Sequence, residues 1–142
     1  MGNRAVISFS TDPAAPSIYL HWNGGRASVE GFLAGCLATG YRATGNAQAD
    51  MDQIERRLRP FFARNRQMLS LYTQPVSRAD KSNGDNGWYI LAAADLRIIG
   101  RRCFIGCEEE DNEKAAAIAT EIIRLATAPR CRYEHLWPEV WA

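Results

Sequence analysis

The sequence predicts an α+β domain, a mostly antiparallel sheet of about five strands with helices packed on it, in the order β-β-α-α-β-β-β-α. Three observations predict it. Two β-rich segments open the chain with only a proline-bearing linker between them. Two helical stripes follow with no strand in between. Three further strands then precede a last helix, so strands and helices are segregated, which disfavours a doubly wound parallel sheet. The 142 residues suit a single domain spanning 1–142.

Residues 4–10 and 17–22 are the first two strands, short and rich in β-branched and aromatic side chains. Pro13 and Pro16 lie in the linker and interrupt the ladder, so the pair reads as a hairpin with a loose loop. Asn23, Gly24 and Gly25 end the second strand. Ser28 is the expected N-cap of the first helix. Val29, Phe32, Leu33, Cys36 and Leu37 recur at helical spacing as one apolar stripe. Gly31, Ala34, Gly35 and Ala38 lie opposite and leave room for another element, and Gly40 ends the helix.

Residues 46–66 form the second expected helix, with Met51, Ile54, Leu58, Phe61 and Phe62 on its apolar face. Pro60 is expected to kink or split it over residues 56–59. Residues 68–73 are the third strand, 75–87 a polar loop, and 88–91 and 96–104 the last two strands. Asp111 or Asn112 caps the third helix, whose stripe is Ala115, Ile118, Ala119, Ile122, Leu125 and Ala126 and which Pro129 closes.

Charge narrows the function classes. Seventeen Lys and Arg against sixteen Asp and Glu leave a net charge of +1, so no global field draws the chain onto nucleic acid or an anionic membrane. No apolar run reaches the length of a membrane span. The N-terminal residues lack the apolar core of a secretory signal, and the expected setting is cytoplasmic with free thiols.

Several constellations bear on chemistry. Cys103, Cys107, Cys131 and His135 are residue types that zinc accepts, but two C-x3-C/H pairs converge on one ion only if Gly106 turns the chain. The simpler reading makes Cys103 and Cys107 small buried hydrophobes. Cys36 or Cys103 with His21 or His135 would be a thiolate–imidazole pair, yet Cys36 falls on an apolar helix face, where a thiol is inert. Residues 23–26 sit between a strand and a helix, as an anion loop does, without a phosphate-loop motif. Residues 80–87 hint at calcium but lack the oxygen ligands and the closing Glu, and read better as an Asn-Gly turn. The sequence points to no cofactor and no catalytic residue.

The surface candidates are charged and aromatic. Arg56, Arg57, Arg59, Arg64 and Arg66 place five arginines in eleven residues, with Arg26 and Arg42 as candidate neighbours. Arginine pairs bidentately with carboxylate or phosphate. The run Glu108, Glu109, Glu110 and Asp111 offers an acidic counterpart that could imitate phosphates. Trp137 and Trp141 in the tail are of the type enriched at interface hot spots. Near-neutral overall charge favours a protein partner over nucleic acid, although the arginines keep nucleic-acid binding open. A homodimer built through the aromatic tail or an exposed sheet edge is a further option.

Residues 19–25 (Tyr-Leu-His-Trp-Asn-Gly-Gly), with Ser28 to Leu33 after them, form one landmark, and Asn83 to Ile90, with residues 96–101 after them, form another. This chain resembles short proteins of bacterial plasmids, integrative elements and phages that carry both landmarks. The acidic run and the Trp-rich tail lie outside the resemblance, which transfers no catalytic residue. What it implies is a setting: such proteins are similar in size and organisation to anti-CRISPR and other anti-defence inhibitors. The expectation is therefore a non-enzymatic inhibitor that occludes a host nucleic-acid-handling defence complex. The alternatives are a small enzyme using a His/Cys site near residues 21–25, and a nucleic-acid-binding domain using the 56–66 arginines.

Overall fold

The computed structural model describes residues 3–67, 70–106, 108 and 110–127. Five strands and three helices follow one another as β1 (Ala5–Ser8), β2 (Pro16–Leu20), α1 (Arg26–Ala38), α2 (Ala47–Arg64), β3 (Leu71–Pro75), β4 (Trp88–Leu91), β5 (Ile98–Arg102) and α3 (Asn112–Thr127). The α+β class is as the sequence predicts, and the strands and helices follow the expected order apart from a 3-10 turn added at Val76–Arg78. The sheet order is β3-β2-β1-β4-β5. Three pairings are antiparallel, and β1 with β4 is parallel.

The helical face of the sheet carries the main core. Ala5, Ile7, Ile18, Leu20, Leu71, Tyr89 and Leu91 meet Val29, Phe32, Met51, Ile54, Leu58 and Phe62 from α1 and α2. Phe32, Phe61 and Phe62 form a three-ring cluster with centroids 5.1–5.6 Å apart. The other face is covered by the segment after β3. Val76 and Ala79 pack on Val6, Tyr19 and Trp88. Trp88 Nε1 donates to Ser8 Oγ at 2.8 Å, so the indole is satisfied inside this smaller core.

Helix boundaries correct three expectations. Gly25, not Ser28, is the N-cap of α1, and Ser28 is buried in the first turn. The extended Gly25 follows Gly24, where any Cβ would stand 2.5 Å from the Asn3 carbonyl oxygen, so the chain turns against β1 before the helix starts. Helix α2 runs unbroken through Pro60, because Leu58, Phe61 and Phe62 on either side are held in the core. It ends at Arg64, with Asn65 as C-cap and Arg66 at positive φ. The loop expected to be merely polar supplies Val76 and Ala79 to the second core. Two expectations hold: Asn46 caps α2 by accepting from Ala49 N at 2.9 Å, and Asp111 caps α3 by accepting from Lys114 N at 3.0 Å.

Helix α3 packs chiefly on α1 and less on α2. The two helices run parallel, with Gly31 facing Ala115 and Ile118 and Gly35 facing Ile122. A Cβ at Gly35 would stand 2.6 Å from Ile122 Cβ, so the expected small-residue side of α1 is where the third helix sits. As a result the N-termini of α1 and α3 lie at the same end of the molecule.

Candidate functional site: a cleft along α1

One flank of α1 stays uncovered by the other helices. Arg26, Glu30, Leu33, Ala34 and Leu37 follow one another at helical spacing and form one wall of a cleft. The other wall is Leu96, Arg97 and Ile98 at one end and Arg101, Phe104, Glu108, Glu110 and Asp111 at the other. The cleft has two compartments, an apolar one of about 270 Å³ and a charged one of about 410 Å³. Arg26 and Glu30 line both. Leu37 belongs to the predicted apolar stripe, but it is 42% exposed, because its side of the helix faces the cleft.

Arg101 holds the charged compartment together. Its Nε donates to the Asn86 carbonyl at 3.0 Å, and Nη2 makes an ion pair with Glu108 Oε1 at 2.6 Å. The guanidinium lies between two rings, 4.1 Å from the Tyr89 centroid and 3.7 Å from that of Phe104. The Tyr89 hydroxyl donates to the Gly24 carbonyl at 2.8 Å, and burial pushes its pKa up, so it stays a neutral donor. Arg26 and Glu30 pair at 2.6 Å. Four carboxylates (Glu30, Glu108, Glu110, Asp111) face two arginines (Arg26, Arg101), a surplus of two negative groups. Leu96 and Cys103, both at positive φ, turn the chain at the two ends of β5.

The structure gathers part of the predicted set here and disperses the rest. Glu108, Glu110 and Asp111 reach the cleft, although Glu108 is bound by Arg101 and Asp111 is occupied as a cap. The arginine run does not form one patch. Arg57 turns inward, donating from Nη1 to the Gln53 carbonyl at 3.2 Å and from Nη2 to that of Thr39 at 3.4 Å. Burial lowers its pKa. Arg59 pairs with Glu55 at 2.7 Å and Arg64 with Glu121 at 3.0 Å, while Arg56 and Arg66 are exposed. The reason is periodicity: eleven residues wrap about three turns, so neighbouring arginines leave the helix in different directions. Glu109, Trp137 and Trp141 lie outside the described residues.

The chemical candidates divide the same way. Cys36 is fully buried, and burial pushes its thiol up to about 12, which removes thiolate character near neutral pH. His21 Nδ1 lies 2.9 Å from the Tyr19 hydroxyl. The Asn23–Gly25 segment is a strand-to-helix turn, with Asn23 at positive φ and Gly24 N donating to the Asn3 carbonyl. Asn83 orders the 80–87 loop, its Oδ1 accepting from Asp85 N and Gly87 N. Cys103 is an exposed free thiol, not a buried hydrophobe, because it sits at positive φ just past β5. Cys107, Cys131 and His135 lie outside the described residues. Among the described residues no group of three or more His, Cys, Asp or Glu side chains is placed to hold a metal. No helix among them is long and apolar enough to cross a membrane.

Sequence reading missed Arg101, Phe104 and Leu96. Residue type carries no signal of the positive φ at Leu96 and Cys103 or of the β4 pairing that places Arg101. Comparison with family models, with curated proteins and with solved structures finds no match to the chain.

Proposed function

We propose that the chain is a non-catalytic, stoichiometric binding protein that seats a segment of a protein partner in the cleft along α1. The observation that carries this reading is the adjacency of two cavities along α1, an apolar one and a charged one with surplus carboxylates, which share Arg26 and Glu30 in their lining. A segment bearing an apolar side chain beside a lysine or arginine complements both compartments. A rigid wall suits docking, since Arg101 is fixed on four sides before any partner arrives. The class of partner, a host defence complex that handles nucleic acid, is drawn from the sequence resemblance alone, and occlusion is the mode of action that fits a small stoichiometric binder.

The test is capture of candidate defence complexes by the tagged chain, compared across variants. Ala34→Arg fills the apolar compartment, and Glu110→Lys reverses charge in the other. Both side chains are exposed, so thermal stability is expected to hold. Capture is expected to fall at least tenfold in each, with Arg56→Glu unaffected. Full capture by both cleft variants, with loss in Arg56→Glu or Arg66→Glu, would move the contact to the exposed arginines.

A further inference from the structure

The two edges of the sheet differ in how they are guarded. The β5 edge carries Arg101 and Arg102, and its register against β4 is irregular at Ile90/Leu91. Charge and irregularity are the usual protections of an open edge. The β3 edge has neither, and its one guard is Pro75 at the end of the strand. Leu71, Tyr72, Thr73, Gln74 and Pro75 include no charged residue and pair with β2 in unbroken register. Among the described residues no strand lies beyond β3.

The direction of the backbone groups follows from the ladder. His21 N donates to the Ser70 carbonyl, and Val76 N donates to that of Ala15. Hydrogen-bonded pairs alternate along an antiparallel ladder, so Tyr72 and Gln74 also turn their backbone groups to β2. Leu71 and Thr73 therefore aim N–H and C=O at the open edge. Pro75 occupies the next outward position and has no N–H to leave unpaired, which is where an edge tolerates proline.

We propose that this edge pairs with β3 of a second copy of the chain, antiparallel about a two-fold axis at Tyr72. In that register Leu71 faces Thr73 of the second copy and Thr73 faces its Leu71, giving four N–H···O=C bonds. Pro75 bounds the ladder at both ends. The arrangement is self-complementary, as an isologous dimer requires. It also accounts for Tyr72, an aromatic residue 45% exposed although its ring lies 5.1 Å from that of Tyr19. Across the axis the two Tyr72 side chains form a non-hydrogen-bonded pair, the type in which side chains approach most closely. The row Trp88–Val6–Tyr19–Tyr72, set by the register, then continues into the second molecule. This surface is separate from the cleft along α1, and its success or failure is independent of the function proposed there.

Sedimentation equilibrium of the full chain, with amide hydrogen exchange at low and high protein concentration, tests it. The chain is expected to dimerise, with the Leu71 and Thr73 amides slowing as concentration rises. Tyr72→Lys places two like charges face to face and removes the ring pair, so dimerisation is expected to weaken by about 10- to 100-fold. If that variant does not fold, the exchange of the unaltered chain decides. A chain that stays monomeric, or a dimer in which Leu71 and Thr73 exchange at a concentration-independent rate, overturns the proposal.

Discussion

The two faces of the sheet are closed by different means. On the helical face, side chains of α1 and α2 bury Ile7, Ile18, Leu20 and Tyr89 under aliphatic and aromatic contact. On the other face a loop closes over Val6, Tyr19 and Trp88, and its path is fixed by polar groups. Asn83, 4% exposed, donates from Nδ2 to the Asp80 and Gly87 carbonyls and accepts at Oδ1 from Asp85 N and Gly87 N. Arg4 ties Asp85 to β1 through Nε at 2.8 Å and its backbone N at 3.0 Å. A helix layer is specified by many weak, non-directional contacts. A covering loop is specified by a few directional ones, each of which matters singly.

Substitutions on the two faces should therefore fail differently. Phe62→Ala removes a fully buried ring from the three-phenylalanine cluster and is expected to cost about 3–5 kcal/mol in urea unfolding. A cost under about 1 kcal/mol would mean that the helix layer collapses around the void. Asn83→Ala leaves buried backbone groups unpaired and is expected to cost about 1–3 kcal/mol. Its loss should appear first as faster amide exchange in residues 80–87, with the helical core unchanged. Uniform exchange across the domain would show that the two faces open as one unit.

The smallest effect is electrostatic. The Arg4 side-chain hydrogen bond, then its backbone hydrogen bond, hold the Asp85 carboxyl below its ordinary value, so the folded chain keeps the carboxylate to lower pH than the unfolded chain does. That contribution is present above the unfolded pKa of about 3.9 and is lost as pH falls through the folded value. Asp85→Asn should flatten the decline of stability as pH falls below about 4. An unchanged acid limb would assign that decline to other carboxylates, of which Glu121, lowered by Arg124, is the first to examine.

The same contrast explains what was legible in the sequence. The stripe Met51, Ile54, Leu58, Phe61 and Phe62 announces α2, because a helix buried on one side repeats its apolar residues at one period. Helix α1 is buried on two sides. Gly31 and Gly35 are as much a part of its contact as Val29 and Phe32, and Leu37 is free to line a cleft. Apolar periodicity does not record where a missing side chain is the contact. The second face was least legible: the Asn-Gly turn at 80–87 shows in residue type, but Arg4 reaches Asp85 across about eighty residues of chain, and residue type carries no trace of such a partner. The candidate site was half legible. Glu108, Glu110 and Asp111 stood out as a run, but Arg101 joins them only after β5 has paired with β4.

The parallel pairing of β1 with β4 has a consequence for the growing chain. β1 is the central strand of the sheet, yet one of its neighbours is made about eighty residues after it. When residues 1–75 have been synthesised, β1, β2 and β3 with α1 and α2 can already assemble, and the far side of β1 is still bare. Long-range closure of this kind raises contact order and slows folding. The central strand of the finished protein is, for much of its synthesis, an edge.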